Sequence, residues 1–166
     1  MVADPLVAVF PGLTAGYRIT SEETPTYNCI AWAAGFTDRW WWPHPDAFWP
    51  ADAPNTETLD AFAGAFGMLG YRCCPNATIE AAWGKIVIFA DADGVPTHAA
   101  RQLENGKWTS KLGESVDIEH GTPDALAGVR YGTPVLFMHR RRPVWRRPLV
   151  LIRRAWTWMA SKKPRK

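Results

Sequence analysis

Cys29 stands in PTYNCIAWAAG, residues 25–35, where an apolar Ile-Ala-Trp-Ala-Ala run begins. Thiol chemistry runs through the thiolate. Unpaired N–H groups at a helix start favour negative charge there, on sulfur and on an oxyanion alike. With Thr26 as the cap, Cys29 falls in that first turn. Packing is the competing reading, because free cysteine is among the most buried residue types. The other cysteines, Cys73 and Cys74, are adjacent and open no helix. Cys29 is therefore expected to be the reactive thiol, and the adjacent pair structural.

A nucleophile needs a base, and the chain offers four histidines. His44 lies in a proline-rich loop, His139 borders a basic tail and His120 ends DIEH. His98 starts PTHAARQL, where a sheet can hold it rigidly. An orienter for its ring should be an acceptor. A two-residue Asn105-Gly106 turn would pair Gln102 with Thr109 and Ala100 with Lys111, so that His98 shares a face with Gln102 and Thr109. Ser110 then points the other way unless a bulge shifts the register. Thr109, Gln102, Asp117 and His120 remain open as orienters.

The elements that must position these groups follow from periodicity. A helix is expected from Thr26 or Tyr27 to Gly35. A second spans 55–70, capped by Asn55 or Thr56, with Leu59, Phe62, Ala63, Phe66 and Leu69 on one face. From residue 85 the pattern becomes β: KIVIFAD, the strands flanking Asn105-Gly106, and TPVLFMHR at 133–140. Thr122 and Pro123 open a short helix. Residues 5–20 read as extended or irregular, and three prolines exclude a regular element from 36–50. Helices first and an antiparallel sheet afterwards give an α+β class.

TYNCIAWAAG, RWWWP, FWP, VPTHAARQL, GKWTSKLG, DIEH and YGTPVLFMHR together resemble an uncharacterised bacterial domain family, similar in turn to papain-like, NlpC-type cysteine hydrolases. The resemblance covers about residues 5–142. It implies N-terminal helices packed on an antiparallel sheet, with Cys29 as nucleophile and His98 as base. It also implies a polar residue on the strand after the histidine, which favours Thr109 or Ser110 in WTSK, with His120 as second choice. The Cys29 N–H would form part of the oxyanion hole, completed by Asn28 or Tyr27.

Ten tryptophans are far more than 166 residues need for packing. Trp40, Trp41 and Trp42 are adjacent and cannot all face one core. They are expected to wall the Cys29 cleft together with Tyr27, Asn28 and Trp32, or to form a lid over the core. The substrate would be a peptide or another amide-bearing molecule. A non-catalytic binding module that uses the Trp loop and the basic tail is the alternative.

Charge divides the chain into 1–142 and a 143–166 tail. Residues 140–166 carry eleven Lys and Arg and no acid, whereas 1–139 carry eight against all sixteen Asp and Glu. A helix is expected over 149–161, with Leu149, Ile152, Trp156 and Met159 on one face. Such a face suits the acidic body or an anionic membrane surface, and nucleic acid is weighed below these. No C-x-x-C or H-x-x-x-H spacing marks a metal site and no glycine-rich phosphate loop is present, so no cofactor is expected. An odd cysteine count and no visible export signal suggest a cytoplasmic protein, peripheral to a membrane if the tail binds one.

Overall fold

WGKIVIFA, residues 83–90, is apolar on both sides of its alternation, which suits a strand covered on two faces. The computed structural model describes residues 4–142 and places this segment near the middle of a seven-stranded antiparallel sheet. In chain order the strands are β1 (Tyr17–Ile19), β2 (Arg72–Cys74), β3 (Trp83–Ala90), β4 (Pro96–Gln102), β5 (Trp108–Lys111), β6 (Asp117–His120) and β7 (Thr133–Arg141). In space they run β1-β6-β5-β4-β3-β7-β2. The two edge strands have three residues each, which limits the exposed row of unpaired backbone groups.

The helices are α1 (Pro5–Val9), α2 (Cys29–Ala34) and α3 (Leu59–Met68). Ile86, Ile88, Ala99 and Met138 pack on one face of the sheet against Ile30 of α2 and Phe62 and Phe66 of α3. Val87, Phe89, Ala100, Trp108 and Ile118 pack on the opposite face, under Phe10, Leu13, Leu126 and Tyr131. Each fully buried Val, Leu, Ile, Phe or Met among these contributes about 1.5–3 kcal/mol.

This architecture corrects the expected α+β, papain-like class. The protein is β-rich, and only α3, with ten residues, exceeds two helical turns. The sheet also holds more strands than periodicity revealed, because β1, β2 and β6 are too short to show it. Residues 5–20 are not irregular either. Asp4 caps α1, a 3-10 turn follows at Pro11–Ala15, and β1 comes next.

The hairpin of β4 and β5 carries a second correction. Its connection is not a two-residue turn. The Leu103 N–H donates to the Lys107 carbonyl and the Gly106 N–H to that of Leu103, with Gly106 at φ +85°. This is the longer loop with a left-handed residue before the return strand. Gln102 therefore pairs with Trp108, and Arg101 with Thr109. A one-residue slip moves every side chain of β5 to the other face. The expected 143–166 tail and its helix lie outside the described residues.

Candidate functional site

Cys29 is the first residue of α2, but the cap is Asn28 rather than Thr26. The Asn28 carboxamide makes three hydrogen bonds. Its Oδ1 accepts from the N–H groups of Ala31 (3.1 Å) and Trp41 (3.2 Å), and one N–H of its Nδ2 donates to the Trp41 carbonyl (2.8 Å). One side chain thus starts the helix and ties the Trp loop to it. The Tyr27 hydroxyl is also engaged. It donates to Asp117 at 2.6 Å, and the Tyr27 ring lies under the Lys111 ammonium. Burial and that carboxylate push the phenol up to about 12.

The three adjacent tryptophans divide by alternation along an extended segment. Trp41 turns inward, 4% exposed, stacks on Phe36 and meets Phe48 at a tilt. Trp40 and Trp42 face a cavity of about 470 Å³ whose wall also includes Cys29, Thr97 and Tyr131, with Arg130, His44 and Asp46 contributing polar groups. The Trp42 indole N–H donates to Glu57 at 2.9 Å and its ring meets Phe62 edge-on, so the wall is braced from behind. Trp32 lies outside the cavity lining. It donates to Thr109 Oγ1 at 3.3 Å and carries the Arg101 guanidinium over its ring.

Cys29 faces this cavity without being activated by it. The residue is 7% exposed, and burial pushes its thiol up to about 11, only partly offset by the N–H groups of Ala99 and of the helix start. At neutral pH the Cys29 thiol is therefore held protonated.

The structure does not bring His98 to Cys29. Ala99, the next residue of β4, belongs to the Cys29 face, whereas Phe89, which pairs with His98, belongs to the opposite one. The imidazole meets Phe89 edge-on and stacks on Tyr131 at 4.1 Å and 12°. It is wholly buried, and neither ring nitrogen has a hydrogen-bond partner among the described residues. Burial, with His120 nearby, drives it down to about 3, so it is neutral.

The remaining orienters also separate. Thr109 faces α2. Ser110 and His120 face the other way and meet each other, Ser110 Oγ to His120 Nε2 at 2.9 Å, while His120 Nδ1 donates to the Thr122 carbonyl at 2.8 Å. Both are buried, which suits a structural link between β5 and β6.

In the sequence prolines surround His44 and Tyr131 precedes a glycine in a turn signal, so neither stands out as a site residue. The turn is real: Gly132 has φ +69°, and a Cβ there would meet the Ala90 carbonyl at 1.8 Å. That close approach sets Tyr131 into the cavity wall. A polar-loop histidine followed two residues later by Asp46 was the available signal. His44 Nδ1 lies 3.2 Å from the Asp46 N–H and 3.6 Å from its carboxylate.

Residues 18–139 match the family described as a domain of unknown function, DUF7689. The chain belongs to the DUF7689 family. No curated protein and no solved structure matches it. Among the described residues of this DUF7689 protein, no cluster of three or more His, Cys, Asp or Glu is placed to hold a metal ion. Nor is any helix there long and apolar enough to cross a membrane.

Proposed function

We propose that this DUF7689 domain is a binding module whose aromatic cavity receives an apolar ring or side chain of a peptide or small-molecule ligand. The observation that supports this reading is that Cys29 packs with one face of the sheet while His98, paired with Phe89, belongs to the other; burial of the thiol also disfavours its ionised form. A volume of about 470 Å³ lies within the usual range for ligand sites. Trp40, Trp42 and Tyr131 supply ring faces, and Arg130 and Asp46 supply charges that can fix orientation. The basic tail is proposed to meet an anionic membrane surface.

One observation favours a second reading. Cys29, His44 and Asp46 line the same cavity, so His44 is an imidazole available there as a base, with its Nδ1 accepting from the Asp46 N–H. Cys29 would then attack an amide or ester carbonyl, as in a cysteine hydrolase.

Ligand-observed NMR with indole tests the module. Binding should be lost in Trp42→Ala and Tyr131→Ala but kept in Cys29→Ser. Limiting iodoacetamide at neutral pH separates the two readings. The module predicts first labelling at exposed Cys73. First labelling at Cys29, abolished by His44→Ala, would favour the hydrolase and overturn the module.

A further inference from the structure

At the other end of β4, away from the aromatic cavity, three arginines converge on a hollow of about 220 Å³. Arg101 extends from β4, Arg140 from the last turn of side chains along β7, and Arg142 from just beyond that strand. Two of the guanidiniums are held by ring faces. Arg101 lies 4.5 Å from the centroid of Trp32, and Arg140 lies 4.6 Å from that of Tyr71. A stacked guanidinium keeps its in-plane N–H groups free for an acceptor at its edge.

The acceptors in place do not match these donors. Arg140 donates to the Leu69 carbonyl at 3.2 Å. Arg142 pairs with Glu104 at 3.1 Å, but that carboxylate is 88% exposed. Arg101 has neither an ion-pair partner nor a side-chain hydrogen bond among the described residues, although it is partly buried. Burial lowers its affinity for its own proton and the nearby Arg140 charge adds to that, while Tyr71 and Asp117 pull partly the other way. Tyr71 lines the same hollow; burial raises its phenol, and the charges of Arg140, Arg101 and Arg142 pull it back.

Three guanidiniums gathered around a hollow outnumber the carboxylates that they feel, the exposed Glu104 at Arg142 and the buried Asp117 near Arg101, and an anion there relieves the remaining repulsion. The group best matched is tetrahedral and doubly charged. A carboxylate is satisfied by one bidentate arginine, whereas a phosphoryl group offers three oxygens to several forks. Arg142 also leads directly into residues 143–166, which add eight Lys and Arg and no acid. That stretch supplies long-range attraction for the same sign of ligand.

We propose that Arg101, Arg140 and Arg142, with the Tyr71 hydroxyl, form a binding site for a phosphoryl group, as free phosphate or as a small phosphate monoester. Glu104 occupies Arg142 when the site is empty and gives way on binding, because a surface ion pair is worth only about 0–1 kcal/mol. The site is independent of the aromatic cavity and of what that cavity binds.

Calorimetric titration of the full chain with inorganic phosphate at low ionic strength tests this. Arg101→Gln should weaken binding about tenfold or more, the loss of at least one charge-assisted bond. Arg142→Gln, at a partly exposed position beyond the end of β7, should weaken it about threefold to tenfold. Glu104→Gln should tighten it a few-fold by removing the competing carboxylate. A parallel titration with glycerol phosphate identifies the source: tighter binding than inorganic phosphate marks a monoester site, and weaker binding marks a site for the free ion. Failure of phosphate to bind, equal binding by wild type and Arg142→Gln, weaker binding by Glu104→Gln, or acetate competing as well as phosphate would each overturn the proposal.

Discussion

His98 shows how far burial can change what a residue is for. Its imidazole is sealed between Phe89 and Tyr131 with no partner for either nitrogen, so folding must leave an N–H without an acceptor at a cost of about 1–3 kcal/mol. Packing of three rings offsets part of that cost. The same burial makes stability depend on pH. The unfolded ring binds a proton near its ordinary 6.5, whereas the folded ring resists one down to about 3. Its contribution is therefore fully present above pH 6.5 and is lost as pH falls from 6.5 toward 3. The slope is about 1.4 kcal/mol per pH unit for one fully titrating group. His98→Phe should flatten the fall in unfolding free energy over that interval, measured by urea denaturation at several pH values. A residual slope is expected from His120, which burial also lowers. An unchanged pH profile would show that His98 is not shut away from protons as described.

Among the elements, α2 is the hinge between sequence and site. Six residues give it little intrinsic stability, so its position depends on contacts at its ends. Asn28 supplies most of these at the N-terminus, and Gly35 closes the other end at φ +94°. Asn28→Ala removes the cap and leaves the Trp41 N–H and carbonyl without partners. A loss of about 2–4 kcal/mol is expected in chemical denaturation, together with weaker indole binding because Trp40 and Trp42 are set by the same loop. Asn28→Asp should fall between wild type and Asn28→Ala, since it keeps the acceptor but loses the donor. The existence of α2, α3, β3, β4, β5 and β7 was legible from periodicity and end signals, as was antiparallel pairing after residue 85. Three features were not. Asn-Gly marked the hairpin but not the length of its loop, and one residue of slip decided which side of β5 Thr109 and Ser110 occupy. Strands of three or four residues show too few alternations to be read. The cavity is assembled from α2, a proline-rich loop and the Tyr131 turn, and local spacing carries no information about their meeting.

Across the whole molecule, charge and fold are arranged separately. Both sheet faces are covered by residues ahead of Arg142, through α2 and α3 on one side and Phe10, Leu13 and Leu126 on the other. A chain ending at Arg142 should therefore keep its urea midpoint nearly unchanged. Its charge would nevertheless reverse. Residues 1–142 hold eleven Lys and Arg against sixteen Asp and Glu, a net of −5, whereas the full chain has +3. The proposed attraction to an anionic membrane must therefore reside in 143–166. Each Lys or Arg near such a surface contributes about 1 kcal/mol, screened over a distance of about 8–10 Å at moderate salt. Sedimentation with phosphatidylserine vesicles should show binding of the full chain that rises with the anionic fraction and falls with salt. The chain ending at Arg142 should show none, while still binding indole, because Trp40, Trp42 and Tyr131 all lie ahead of the cut. Equal sedimentation of the two chains would remove the membrane role from the tail and return the basic charge to some other partner.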